Sequence, residues 1–173
     1  MNSCLPKTII ALCSLFTISS CSVDEIESLV GGKQAHSLVA DLSQATICEA
    51  YRVDDSYPEE RKRAEEKTIY GFAILSGPSP MDVDSRKDLS RILTNSKTYV
   101  RHSIPTDCLF RPGIAFRFAD GNAKVDLLVC FSCNELRYYL NGKQVGSSYF
   151  SPSKLGNLVK KLFPEDTKIQ SIQ

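Results

Sequence analysis

Tryptophan is absent from the sequence, and histidine and methionine occur only twice each. The lack of tryptophan removes the indole platform on which a sugar ring would stack. The two histidines, His36 and His102, are not placed as general bases by any recognisable motif. There is no glycine-rich phosphate loop, no serine nucleophile elbow, no internal repeat and no low-complexity segment. Asp82, Asp84 and Asp88 are spaced like part of a cation loop, but the glycine and terminal glutamate of a calcium site are missing, so helix capping accounts for them better. An excess of either charge sign is also missing. The chain holds 21 basic and 20 acidic residues, which leaves no electrostatic footprint for nucleic acid. Its one dense charge run, Glu59 to Lys67, mixes both signs and reads as a solvated loop or short helix.

Charge is scarcest at the start. Lys7 is the only charged residue among the first twenty. It precedes an apolar stretch, Thr8 to Ile18, that has the length of a signal-peptide core and is too short to span a bilayer. Ile18-Ser19-Ser20-Cys21 then sets an aliphatic and two small residues directly before a cysteine. This resembles the lipobox of bacterial lipoproteins. The resemblance implies that the leader is removed before Cys21, that its thiol is acylated and that the new amino terminus is acylated too. Several acyl chains, at about 0.8 kcal/mol per buried methylene, hold a protein firmly to a membrane. Ser22 after the cysteine resembles the rule that sends enteric lipoproteins to the outer membrane. The alternative is an ordinary secretory leader with a coincidental cysteine. The expected organisation is a leader over 1–20, a flexible tether over 21–36 and one domain over 37–173.

Seven cysteines are present. Two lie in the leader and one is the anchor, leaving Cys48, Cys108, Cys130 and Cys133. An even number in an oxidising compartment allows up to two disulfides, with three full connectivities. Cys130-Phe131-Ser132-Cys133 falls between two predicted strands, not at a helix start, so no helix dipole lowers its thiol pKa. Residues three apart in an extended strand are roughly 10 Å apart, whereas disulfide Cα atoms lie within about 7 Å. A 130–133 bridge therefore needs a turn at Ser132, which Asn134 would favour. Pairing of either cysteine with Cys108 across a neighbouring strand is the alternative. Buried free thiols, a zinc ion held at about 2.3 Å by all four sulfurs, and redox chemistry also stay open. One C-x-x-C is half the usual zinc signature, and the distances along the chain to Cys48 and Cys108 are not diagnostic.

Period-two alternation predicts strands over Ile47 to Val53, Ile114 to Phe118, Val125 to Phe131 and Leu136 to Leu140, a β-branched and aromatic run predicts one over Thr68 to Leu75, and a short strand follows from Lys143 to Phe150. Ser76-Gly77-Pro78-Ser79-Pro80 reads as a chain-turning stretch, and Asp120-Gly121 and Asn141-Gly142 read as hairpin turns. Ser85 to Asp88 resembles a capping box before a helix near 85 to 96. Ser151-Pro152 opens a second helix, with Leu155, Leu158, Val159, Leu162 and Phe163 on one face and Pro164 beyond it. The expected fold is α+β: an antiparallel sheet of about six strands with two helices packed on one face. Tyr138, Tyr139, Tyr149 and Phe150 are candidates for an aromatic patch, although alternation sends half of them into the core.

From Cys108 to Phe118 and from Leu128 to Leu136, the chain resembles a family of small bacterial secreted or lipid-anchored proteins. These carry a Pro-Gly before an aromatic strand, then Cys-Phe-x-Cys, and finish with a helix ending at Phe-Pro. The resemblance covers roughly 45 to 173 and implies a shared fold, but transfers no catalytic residue. Anchor and missing motifs together suggest a non-enzymatic envelope protein that binds a protein or envelope component, such as an inhibitor or immunity protein. No cofactor is expected on this reading. The rival is a thiol- or metal-dependent protein built on Cys108, Cys130 and Cys133, with zinc as its cofactor if a metal is used.

Overall fold

The computed structural model describes residues 21–57, 67–100 and 107–172; the leader, most of the charged run and His102 lie outside the described residues. These residues form one open antiparallel sheet. Its strands are β1 (Ile47–Val53), β2 (Thr68–Ile69), β3 (Phe72–Pro80), β4 (Tyr99–Val100), β5 (Ile114–Ala119), β6 (Lys124–Cys130), β7 (Glu135–Leu140) and β8 (Lys143–Phe150). The order across the sheet is β2-β3-β1-β5-β6-β7-β8-β4. The helices are α1 (Cys21–Val30), α2 (Lys33–Ala40), α3 (Val83–Leu93), α4 (Pro152–Leu162) and α5 (Thr167–Gln170), with a 3-10 turn at Ser96–Thr98.

The fold is thus α+β, but with eight strands and five α-helices among the described residues instead of about six and two. The run Thr68 to Leu75 is not one strand. Tyr70 and Gly71 both take positive φ, 50° and 83°, and turn it into a tight hairpin between β2 and β3. The Gly-Pro stretch expected to end that strand lies inside β3, where register shifts against β1 absorb it. Asn141-Gly142 forms the expected two-residue turn, with φ of 49° and 91°. Asp120-Gly121 does not. Asp120 accepts the amides of Asn122 and Ala123, each at 2.9 Å, and only Gly121 goes positive, so the loop spans 120 to 123.

Alternation sorts the central strands between two faces. Cys48, Ala50, Ile114, Phe116, Phe118, Val125, Leu127, Val129, Leu136 and Tyr138 share a core with Ile26, Val30, Leu38, Leu89, Leu93, Leu155 and Val159 of the helices. Tyr51, Val53, Ala115, Leu128 and Cys130 face the other way, against Ile69, Tyr70, Phe72 and Phe110. Burying each large side chain contributes about 1.5–3 kcal/mol. Asp126 of β6 is buried, and Arg117 meets it at 2.6 Å and 3.2 Å while the Tyr70 hydroxyl donates at 2.9 Å. A buried carboxylate is tolerated there because it is paired and hydrogen-bonded.

Helix α3 starts two residues before the expected point. Asp82 is its cap, accepting the Ser85 amide at 2.6 Å, and Ser85 itself is buried within the first turn. Capping accounts for Asp82, and Asp88 pairs with Arg91 at 2.7 Å. Helix α4 follows Ser151 with Pro152 in its first turn, as expected.

The stretch 21–36, expected as a flexible tether, is helical and packed. Ile26, Val30 and Ala35 are buried in the helix-side core. Their spacing, continued by Leu38 and Val39, is that of amphipathic helices broken by Gly31-Gly32. Beside β8, backbone meets backbone: a Cβ on Gly146 would lie 2.7 Å from the Leu29 carbonyl oxygen. The domain therefore begins inside the residues read as tether. Val30→Ala should lower the unfolding free energy in urea by about 1–3 kcal/mol through the cavity it leaves. A tether residue would show no change.

Candidate functional site

Strand β6 ends at Cys130 and β7 begins at Glu135, so the C-x-x-C straddles a hairpin turn, closed by Asn134 at φ 50°. Cys133, in the turn, is bonded to Cys108, with Cα atoms 5.7 Å apart. Of the pairings open from the sequence, this is the one present. Cys130 remains a buried thiol. Its sulfur accepts the Arg111 amide at 3.4 Å and lies 3.2 Å from the Ser132 hydroxyl. Cys48 is a second buried thiol, but on the opposite face of the sheet, 3.6 Å from the Met81 sulfur. Burial pushes its pKa up to about 11. The four cysteine sulfurs therefore do not converge on one zinc position. Among the described residues no group of three or more His, Cys, Asp or Glu is placed to hold a metal.

The disulfide pins the segment that leads into β5. Phe110 turns inward against the second core while Leu109 stands 52% exposed. The Arg137 guanidinium stacks on the outer side of Phe110, 3.8 Å from the ring centre, and Glu135 holds Arg137 at 2.7 Å. Arg111 lies 3.9 Å over the Tyr57 ring and donates to the Asp55 carbonyl at 3.0 Å. Tyr57 is itself 48% exposed. Gly113 donates to the Val129 carbonyl at 3.0 Å and passes so close to Arg52 that a Cβ would sit 3.3 Å from its Nη1.

Next to this loop is a cleft of about 410 Å³, floored by Phe131 and Ile172 and rimmed by Arg52, Asp55, Arg111 and Lys168. Arg52 is 5% exposed because it occupies a core-facing position of β1, in step with Cys48 and Ala50. Its Nε donates to Asp166 at 2.9 Å, Nη1 to the carbonyls of Val53 and Gly113, and Nη2 to Asp55 at 3.1 Å. Lys168 reaches the other Asp55 oxygen at 2.8 Å. Burial works to raise the pKa of Asp55, but Lys168 and Arg52 outweigh it and leave the carboxyl below its usual range. Burial likewise opposes ionisation of Asp166, and the Ile169 amide with Arg52 overcomes it. This cluster ties the end of β1 and the start of β5 to the cap of α5. Its acids are committed to ion pairs, so none is poised to take a proton near neutral pH.

The sequence pointed to the cysteines but not to Arg52, Asp55, Arg111, Asp166 or Lys168. The available signal was an arginine at an inward position of an alternating strand. The aromatic set divides. Tyr138 and Phe150 lie in the helix-side core, and Tyr139 stacks on Tyr70 with ring centres 3.8 Å apart on the other face. Tyr149 lies half-buried at the end of β8. His36 meets Glu27 at 3.9 Å and belongs to the packed N-terminal helices.

Comparison with protein families, with curated proteins and with solved structures gives no match for this chain.

Two outcomes test the site's construction. Removing the disulfide, which closes a separation of 25 residues, through Cys108→Ser with Cys133→Ser should cost about 2–4 kcal/mol in equilibrium unfolding. Asp166→Asn keeps a cap acceptor but loses the charge that Arg52 holds. Because the folded-state pKa of Asp166 lies below its unfolded value, its contribution is present at neutral pH and is lost as pH falls through the lowered value. The stability gap between wild type and Asp166→Asn should be widest near neutral pH and narrow progressively as pH falls through and below the ordinary carboxylate range. A gap that persists in acid would remove the ion pair from the explanation.

Proposed function

We propose that this chain is a lipid-anchored envelope protein of a binding, inhibitor or immunity type, attached through Cys21 to the outer membrane and acting on a protein partner without catalysis. The observation that carries this reading is the loop around Leu109. An exposed aliphatic side chain stands between a disulfide-bonded cysteine and a buried phenylalanine, with Arg111 and Tyr57 beside it. Arginine and tyrosine are among the residue types that dominate binding energy at protein interfaces. A loop already held in one shape loses less conformational freedom on docking. The family resemblance in the second half of the chain is compatible with this role and adds no activity.

The test uses the protein purified from membranes in mild detergent, as wild type and as Leu109→Asp, with the disulfide verified by mass in both. Wild type should retain a stoichiometric partner, and the variant should bind it about thirtyfold more weakly, a loss of about 2 kcal/mol. Equal recovery with both proteins, or no partner with either, would sink the proposal.

A thiol-dependent role keeps one point in its favour. The free Cys130 sulfur and the bonded Cys133 sulfur both lie against the short stretch 109–111, at 3.4 Å from the Arg111 amide and 3.2 Å from the Leu109 carbonyl. Native mass with alkylation separates the two readings. A Cys108–Cys133 bond that survives mild reductant, with no zinc mass, leaves the binding role.

A further inference from the structure

The N-terminal helix is not free to swing. Ile26 and Val30 are buried, and the end of α1 is pressed on β8, where a Cβ on Gly31 would lie 2.3 Å from a Val145 methyl. Toward its start, Glu25 borders a groove of about 610 Å³ shared with Ser96, Tyr99, Val100, Ser148 and Tyr149. Helix α1 thus runs from the corner where β4 pairs with the end of β8, Tyr99 opposite Phe150 and Val100 opposite Tyr149, back toward the middle of β8. Residue 21 is the first residue of that helix. At 1.5 Å per residue it lies only about 6 Å along the axis from Glu25.

We propose that this corner, made by the first turn of α1, the 3-10 turn and the paired ends of β4 and β8, rests on the lipid surface. The domain then stands on the membrane in one orientation and does not hang from a tether. The proposal rests on the reading of Cys21 as the lipid-bearing residue. An acyl group there has no long flexible linker through which to carry the domain away from the bilayer, because the first buried side chain, Ile26, is only five residues along the same helix. The corner's side chains suit an interfacial setting. Val100 is 40% exposed and Tyr149 lies half-buried beside it. An exposed valine beside a tyrosine matches the boundary between headgroups and acyl chains, where tyrosine is enriched. The cleft and the Leu109 loop lie at the same end of the sheet, where β1 ends and β5 begins. A partner engaged there would be met close to the membrane.

The absence of tryptophan from the chain makes the test direct. Lipidated protein carrying Val100→Trp, Ser96→Trp or, at the far end of the sheet, Asn122→Trp is placed in vesicles whose phospholipids bear bromine on the acyl chains. All three positions are exposed, and a circular dichroism spectrum and unfolding midpoint like those of wild type certify folding in each. The first two tryptophans should lose most of their emission relative to unbrominated vesicles, while the third should keep it. Equal quenching at all three sites, or none at the corner, overturns the proposed orientation and leaves the anchor standing if the intact mass shows acyl chains on residue 21. A mass without acyl chains overturns the anchor itself and the orientation with it.

Discussion

Every residue of β6 from Val125 to Cys130 is buried, and the strand lies between β5 and β7 near the middle of the sheet. A strand covered on both faces obliges the rest of the chain to supply two layers, and the arrangement of the other elements follows from that demand. Helices α1 to α4 supply one layer. The β2–β3 hairpin, the disulfide-held loop and Phe110 supply the other. The second layer is too small to be a sheet of its own, so it depends on crosslinks: the Cys108–Cys133 bond, the Arg137 stack on Phe110, and the Tyr70 contacts with Asp126 and Tyr139.

Polar groups in this body are used as fasteners more than as reagents. Asp126 joins β5, β6 and the β2–β3 turn. Arg52 joins β1, the start of β5 and α5. In both cases a buried charge is matched by fixed partners, the condition under which burial of charge is sustainable. The consequence for chemistry is that the acids nearest the main cleft are held ionised by cations. What the cleft and its loop offer a partner is shape, one exposed aliphatic group and two cationic side chains.

Much of this was legible in the residues themselves. The alternation at Ile114, Phe116 and Phe118, the Asn-Gly turn and the apolar face of α4 each encode a local rule, and each element formed as those rules dictate. The double burial of β6 is not legible there, because Val125, Leu127 and Val129 read as one face of an alternating strand and the second cover comes from residues distant along the chain. The misreadings came where non-local packing overrode local chemistry. Gly-Pro punctuation at 77–80 sits inside an outer strand because β3 itself bulges there, with its extra residues absorbed opposite Ala50 to Val53 of β1. The residues read as tether fold because β8 needs a cover, and their period is hidden by the Gly31-Gly32 break. Tyr70 at positive φ has no sequence signature of its own, since its conformation is held by the stacking and hydrogen bond it makes across the sheet. The Arg52 cluster assembles from residues distant along the chain, which no spacing announces.

The close contact between the Leu29–Gly31 backbone and Gly146 also bears on the order of events during synthesis. Helix α1 is completed only by β8, a strand far along the chain from it. Helix α2 can already pack on α3 and β5, but until β8 arrives α1 lacks the strand that it lies against. Closure between such remote segments is entropically slow. Helix α1 is thus secured late although it is made early, and a chain truncated before β8 would leave its apolar face as a handle for proteases or chaperones.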